Sequence, residues 1–341
     1  MRMGIKEIAE KAGVSKTTVS LALNGHKGVS HETRMRILSL AQDMQYRVPG
    51  ERVLSHPSQG FIMFARFRKH GLILNQDQSS FIMDYIDSIN QTVCEAGYTF
   101  EIVDYQCQSV SACIGAIQNR RPKGVIILGT ELEEQDIQLL ESLTVPYVVI
   151  DTFFDHVRCD FVDMANIGAV YQLIKYLKDT GNRTIGMVTC SIKSGNVLMR
   201  ERAFLLAMEE LGMQADGDSF FTVEPGFSGA CTSMLQHVKT GRSFPQALFC
   251  YNDIAAYGTM KALKEHGFSI PEDISLIGFD DLPMSAMMEP HLTSIKVPNH
   301  QLGRKAAQLL LEKITSKRTH EPVSVLIGGD LVIRNSVMNR T

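Results

Sequence analysis

Residues 13–25 read GVSKTTVSLALNG, and the architecture of the amino-terminal region turns on what this stretch is for. Ser15, Lys16, Thr17, Thr18 and Ser20 crowd a single short segment. Hydroxyl side chains compete for backbone hydrogen bonds, so this composition is not chosen for helix propensity. The apolar spacing nevertheless predicts a helix, with Val19, Ala22 and Leu23 inward and Lys16, Thr17, Ser20 and Leu21 outward or near the helix start. Ser15 is a good N-cap, and Asn24-Gly25 ends the segment. Upstream, IKEIAEKA places Ile5, Ile8, Ala9 and Ala12 on one face, and Gly13 follows where a left-handed residue is commonly needed. Downstream, Ser30 caps a third predicted helix, whose Ile37, Leu38, Ala41 and Met44 complete a small core. Helix, glycine-containing turn, helix is the arrangement of a helix-turn-helix DNA reader, in which the second helix enters the major groove. Short hydroxyls would let that helix approach base edges closely, and its first turn of N–H groups favours phosphate. Periodicity alone fits equally a three-helix bundle with a polar outer face.

At 341 residues the chain exceeds what one core usually serves, so several domains are expected. Hydrophobic residues at 44 % against charged residues at 21 % exclude a disordered or fibrous chain. The N-terminus lacks the apolar core of a signal peptide, and runs such as GVIILG are too short to span a bilayer, so a cytoplasmic location without membrane attachment is expected. The seven cysteines are scattered, with no CxxC pair and no metal-ligand spacing, and are read as small buried hydrophobes. No metal or cofactor is expected. Residues 1–55 carry nine Lys/Arg against five acids, a surplus of +4, which leaves −7 on the remainder of a chain whose net charge is −3. A basic head on an acidic body points to a polyanion partner for the head.

Residues 46–60, YRVPGERVLSHPSQG, hold two Pro and two Gly and read as a connector. From Phe61 onward, apolar runs (FIMFARF, YTFEIVDY, GVIILG, YVVID, TIGMVT, ALFCY, ISLIGFD) alternate with helical stretches near 80–96, 165–180, 199–212, 228–240 and 252–267. The alternation predicts parallel βαβ units with helices on both faces of each sheet, whose ligand sites lie beyond the strands' carboxyl ends. No GxGxxG follows the first strand and no GxxxxGK[ST] occurs, so the usual phosphate cradles are missing.

The stretch IKEIAEKAGVSKTTVSLALNGHKGVSHETRMRILSLAQDMQY resembles the DNA-binding head of the LacI/GalR family of bacterial transcription regulators, and this decides between reader and plain bundle. The resemblance makes Lys16, Thr17 and Leu21 the base-reading positions, with Thr18, Ser20, Asn24 and Ser30 as phosphate contacts or caps. Many members carry Arg where this chain has Leu21; leucine cannot make the bidentate guanine contact but can touch a thymine methyl. The family's hinge helix wedges a leucine into the minor groove, and Leu54 is the candidate here.

The resemblance continues through FPQALFCYNDIAAYGTMKALKEHGFSIPEDISLIGFDDLPMSAMMEPHLTSI to a body of the periplasmic-sugar-binding-protein type, two lobes closing on a small molecule. It implies a helix-turn-helix domain over 1–46, a hinge over 47–59 and an effector-binding and dimerisation body over 60–341. The lobes would be about 60–162 plus 292–322, and about 163–291 plus 323–341. It makes Arg200, Asn252 and Asp280 the effector's polar partners and Phe227 its aromatic cover. Asn166 matches an Asn that opens a helix and is expected among the effector's contacts, and Ser80-Phe81 replaces the family's usual first-lobe contacts. Arg fork, Asp acceptor and Asn amide suit sugar hydroxyls. An insertion carrying Arg66, Arg68, Lys69 and His70 raises the alternative of an anionic or phosphorylated effector, beside that of a solvated loop or dimer-surface patch.

The expectation is a dimeric repressor binding near-palindromic operator DNA under control of a sugar or sugar derivative, with a phosphorylated metabolite or nucleobase as the alternative effector. A sugar-binding protein without gene regulation would lack the head. An enzyme is not expected, because the sequence shows no nucleophile, base and oxyanion motif, and adjacent carboxylates such as Asp280-Asp281 rarely share one site.

Overall fold

The structure, a computed structural model, describes residues 5–23, 33, 36–37, 40, 59–71, 79–106, 109–316 and 321–341. The chain divides into two compact units, Met1–Pro57 and Ser58–Thr341.

In the first unit, α1 (Ile5–Ala12) and α2 (Lys16–Leu23) are joined by a tight turn. Gly13 sits at φ 64°, a left-handed conformation, and its neighbour Val14 donates to the Ala9 carbonyl at 3.1 Å. The Ser15 hydroxyl accepts from the Thr18 N–H at 3.1 Å and so caps α2. Ile8, Ala9, Ala12, Val19, Ala22 and Ile37 bury one another. Arg36 donates to the Ala12 carbonyl at 2.7 Å, satisfying an orphan acceptor at the end of α1. The expected core residues Leu38, Ala41 and Met44, and the hinge residue Leu54, lie outside the described residues.

The second unit holds β1 (Phe61–Arg68), α3 (Ser79–Glu95), β2 (Thr99–Gln106), α4 (Val110–Arg120), β3 (Gly124–Leu128), α5 (Glu134–Leu139), β4 (Tyr147–Ile150), β5 (Phe161–Met164) and α6 (Asn166–Asp179). It continues with β6 (Ile185–Cys190), α7 (Gly195–Glu210), β7 (Phe220–Val223), α8 (Gly226–Lys239), β8 (Ala247–Cys250), α9 (Asp253–Glu265) and β9 (Ser275–Ile277). It closes with β10 (Ser294–Lys296), α10 (Asn299–Thr315), β11 (Ser324–Ile327) and β12 (Asp330–Val332). Two parallel sheets result, of order β11-β5-β4-β3-β1-β2 and β7-β6-β8-β9, with a small antiparallel β10-β12 pair between the crossings. The central strands β3, β6 and β8 are buried at every position, as strands covered by helices on both faces must be, which is why they read as unbroken apolar runs. Helix α10 packs on α3 at Gly303, where a Cβ would stand 2.1 Å from the Ser88 hydroxyl; glycine permits the close approach.

One expected boundary moves. The sequence reading assigns 163–291 and 323–341 to the second lobe, yet Phe161–Met164 and Ser324–Ile327 pair with each other in the first lobe's sheet. Only the tail beyond β12 returns to the second lobe, where Leu276 donates to the Ser336 carbonyl and Arg340 to that of Thr180. The reading of the cysteines as buried hydrophobes fails at Cys113, which is disulfide-bonded, and at Cys94, which is exposed; Cys159, Cys190, Cys231 and Cys250 are free and buried, and Cys107 lies outside the described residues. No helix among the described residues is long and apolar enough to cross a membrane.

Candidate functional site

The carboxyl ends of both sheets face a cleft whose cavity is about 50 Å³. Its polar centre is Arg200. Ser194 caps α7, its hydroxyl accepting from the Val197 N–H at 3.4 Å, and the helix then turns Arg200 inward with Val197 and Ala203. The guanidinium lies 3.7 Å above the Phe279 ring, donates to the Tyr251 carbonyl at 2.6 Å and to Asn166 Oδ1 at 3.0 Å, and stands 3.7 Å from Asp280 Oδ1. The stacking and the two bonds hold the fork in one orientation while leaving it beyond hydrogen-bond length of Asp280.

Asn166 opens α6 and does not itself line the cavity. It receives the Arg200 bond and donates to Asn196 Oδ1 at 3.0 Å, and Asn196 in turn donates to the Asp151 carbonyl at 3.0 Å. Asp151, just past β4 at φ 65°, accepts from Tyr85 Oη at 3.2 Å and from Thr130 Oγ1. A continuous network thus links α7 of one lobe to α3 of the other.

Three buried carboxyls crowd this one guanidinium. Burial pushes Asp280 well above the usual carboxylate range, against the pull of Arg200, and pushes Asp151 upward against its bond from Thr130. Asp163 rises to about 8, first from burial and then from the Asp151 charge, and its Oδ1 has no hydrogen-bond partner. Asp253, raised to about 6 by burial, accepts from the hydroxyls of Ser285 and Ser294, both at 2.6 Å, and the Leu282 N–H at 2.8 Å; it braces the loop that carries Asp280.

Of the expected effector residues, Phe81, Arg200, Asn252 and Asp280 line the cavity together. Asn252 Oδ1 caps α9 through the Ala255 N–H at 2.8 Å, which leaves its NH2 end for a ligand. Phe81 stands edge-on to Tyr85, ring centroids 5.3 Å apart. Ser80 opens α3, but its side chain lies outside the described residues. The expected aromatic cover Phe227 is not among the residues lining the cavity; it sits at the start of α8, with the Lys261 ammonium 5.7 Å from its ring centroid. Phe81 and Tyr251 supply the cavity's aromatic lining instead. Sequence reasoning missed Thr130, Asp151, Ser194 and Asn196. Each follows the carboxyl end of a strand, so the rule for ligand sites in parallel sheets was the signal that would have found them.

The basic residues of the insertion meet acids of their own lobe. Arg66 makes a bidentate pair with Asp104 at 2.5 and 2.6 Å, and Lys69 meets Asp136 at 2.7 Å and Glu133 at 3.2 Å. Arg68 lies 3.9 Å from Asp104 and the His70 ring 3.3 Å from Glu131.

On α2, Lys16 and Thr17 are exposed while Thr18, Ser20 and Leu21 are half-buried. The Thr18 hydroxyl is 2.8 Å from that of Ser15, so it serves the cap. Asn24, Ser30 and Leu54 lie outside the described residues. A wider groove of about 1060 Å³ occurs at the amino ends of β6 and β8, the end of a parallel sheet that carries no ligand chemistry. Among the described residues no group of three or more His, Cys, Asp or Glu converges to hold a metal ion.

Residues 4–48 match the family model for bacterial regulatory proteins of the lacI family, and residues 174–337 that for a periplasmic binding protein-like domain. The HTH-type transcriptional repressor PurR of Pasteurella multocida is 28 % identical over 343 residues, spanning 98 % of this chain and 99 % of its own length. PurR of Haemophilus influenzae is 29 % identical over 342 residues, 98 % of each chain. Among solved structures, a transcriptional regulator CelR–cellobiose complex superposes with TM-score 0.71 at 24 % identity, covering 98 % of this chain and all (100 %) of that one. The Lac repressor dimer bound to operator and the anti-inducer ONPF gives 0.72 at 22 % identity, covering 99 % and 100 %. The likenesses to solved structures show the fold.

Proposed function

The chain belongs to the LacI family of bacterial regulatory proteins, DNA-binding transcriptional repressors, and from that premise we propose that it is a homodimer whose hold on a near-palindromic operator is set by a neutral, hydroxyl-rich effector of the sugar class in the inter-lobe cleft. On the DNA side, Lys16, Thr17 and Leu21 read base edges while Thr18 and Ser20 support the first turn; two such helices related by a two-fold axis require half-sites about one helical turn apart. On the effector side, the observation that carries the reading is the buried pair of Arg200 and Asp280, 3.7 Å apart across a cavity edge. A hydroxyl placed between them accepts from the guanidinium and donates to the carboxylate, and Asn252 and Asp151 offer the same service to neighbouring hydroxyls. The aromatic lining of Phe81 and Tyr251 favours a second reading, a flat nucleobase.

Closure of the lobes on the effector changes operator affinity, and the coupling is reciprocal. The test is a thermal-shift screen of neutral sugars, sugar phosphates and nucleobases, since a ligand of the folded state raises the melting temperature by mass action. A neutral sugar that raises it, shifts operator affinity by fluorescence anisotropy, and loses both effects in Arg200→Ala upholds the reading. A response confined to nucleobases transfers the site to the second reading, and one confined to phosphorylated compounds refutes both.

A further inference from the structure

We propose that Asp281 and Arg334 are positioning residues whose ion pair ties the cleft's Asp280 to the two strands where the chain passes between the lobes, so that effector occupancy is felt as lobe angle. This rests on the reading of an effector-controlled cleft and names the side chains that carry the control. Strand β10 leads from β9 in the second lobe's sheet to α10, which packs on α3 in the first lobe. Strand β12 runs the other way, from β11 in the first lobe's sheet to the tail that bonds Leu276 in the second. The two strands pair antiparallel, Ser294 opposite Val332 and Lys296 opposite Asp330. Two crossings therefore share one ladder, and a change of lobe angle must flex it.

Asp280 is bonded straight to this ladder, its N–H donating to the Ile295 carbonyl at 2.9 Å. Its backbone sits at φ 113° and that of Asp281 at φ 52°. Two consecutive positive values are uncommon for residues other than glycine, and they persist only where the surroundings enforce them. The geometry turns the adjacent carboxylates apart, Asp280 toward Arg200 and Asp281 toward Arg334, whose guanidinium lies 2.7 Å from Asp281 Oδ1. That oxygen has no aligned hydrogen bond, so the contact is an ion pair held by charge. Its side chains are 12 % and 18 % exposed, and such a pair is screened far less than one at the surface.

The ladder supplies the enforcement from both strands. The Asp281 N–H donates to the Ser294 hydroxyl at 3.1 Å, and that hydroxyl donates onward to Asp253 at 2.6 Å. Arg334, just beyond β12, donates from its guanidinium to the Leu292 carbonyl at 2.7 Å and from its N–H to the Thr293 hydroxyl at 2.9 Å. Neither Asp281 nor Arg334 lines the cleft cavity. A hydroxyl seated on Asp280 thus pulls on a residue fixed to β10, whose neighbour is fixed to the end of β12.

The experiment uses the full-length protein, the operator duplex it selects from random sequence, and glucose, ribose, cellobiose, adenine and guanine as probes. Probe affinity is read by isothermal titration, and operator affinity by fluorescence anisotropy with and without saturating probe, in wild type, Asp281→Asn, Arg334→Met and the double variant. In wild type a bound probe is expected to change operator affinity by about 5–150-fold, the usual range of coupling between sites. In either single variant the probe's Kd stays within about threefold of wild type while that change falls to about twofold or less, and the double variant does no more than each single, as partners in one contact require. Asp281→Asn keeps the side chain's shape and the bonds Arg334 makes elsewhere, so it carries the test should Arg334→Met misfold by circular dichroism. Coupling that persists in the folded variants, or probe binding that is itself lost in them, overturns the proposal and leaves the cleft reading standing. No probe bound by wild type, or a probe bound without any change in operator affinity, refutes the effector-controlled cleft and this inference with it.

Discussion

Lys16 and Thr17 stand exposed on the first turn of α2, whereas Arg200 is 7 % exposed, with a ring beneath it, a carbonyl and an amide fixing its nitrogens and a carboxylate 3.7 Å away. Both sets are polar side chains meant for a partner molecule, but they are held on opposite terms. An exposed polar group stays hydrated until its partner arrives, so its substitution is felt in binding and hardly in stability. A buried one has given up water, and the protein itself must supply its hydrogen bonds. In this protein the two kinds are segregated, one in each compact unit, and mutation should separate them cleanly.

The largest effect is expected from Arg200→Ala. It removes the cation facing Asp151, Asp163 and Asp280 and should cost about 3–5 kcal/mol, the range for breaking a buried ion pair from one side. Urea unfolding of the second unit measures it, and a loss below about 1 kcal/mol would break the contrast with α2. Next come Lys16→Ala and Thr17→Ala, each expected to weaken operator binding by about 1–3 kcal/mol in a gel-shift titration, with unfolding midpoints shifted by less than about 0.5 kcal/mol. If Lys16 meets a phosphate, the salt dependence of operator binding also flattens by about one unit of slope.

A third prediction concerns pH. The Asp163 carboxyl, at about 8 when folded against 3.8 ordinarily, binds its proton more tightly in the folded state. Its contribution to stability is fully present below pH 3.8 and is lost progressively as pH rises through about 8. Asp163→Asn should flatten the fall in melting temperature between pH 5 and 8, a slope of at most about 1.4 kcal/mol per pH unit, while operator binding at fixed pH stays as it was. An unchanged slope would show that the proton is held elsewhere in the carboxyl cluster. The smallest effect is that of Lys69→Ala, which breaks pairs with Glu133 and Asp136 and should cost about 1 kcal/mol or less without altering ligand affinity. Weakened binding of an anionic effector in that variant would reopen the insertion as an entrance.

The reading helix was legible because its logic is local. Inward Val19 and Ala22, the Ser15 cap and the left-handed Gly13 all lie within one turn-and-helix, and the structure realises them. Arg200, Asn252 and Asp280 were named through the family resemblance, position by position, and all three line the cleft cavity. Asp151, Asn196 and Thr130 follow strand ends, which marks them as candidates, but their place in the cleft is made by a hydrogen-bond network joining residues from loops far apart in the chain. Phe227 looked like an aromatic cover by position alone, yet it is not among the residues that line the cavity. The strands FVDM and FFTV were missed because four-residue segments of mixed polarity carry little periodic signal, and β11 joins its sheet only through parallel pairing with β5.

The sequence by itself therefore determined what depends on neighbours along the chain: the amphipathic helices, the caps and turns, the buried strands, and the motif residues that place the chain in its family. Tertiary structure alone decided which charges cancel and which polar groups share a cavity. Asp104 silences Arg66, Asp136 silences Lys69, and three carboxyls gather on Arg200, because Coulomb and desolvation energies depend on distance and burial in space, and neither is written in sequence order.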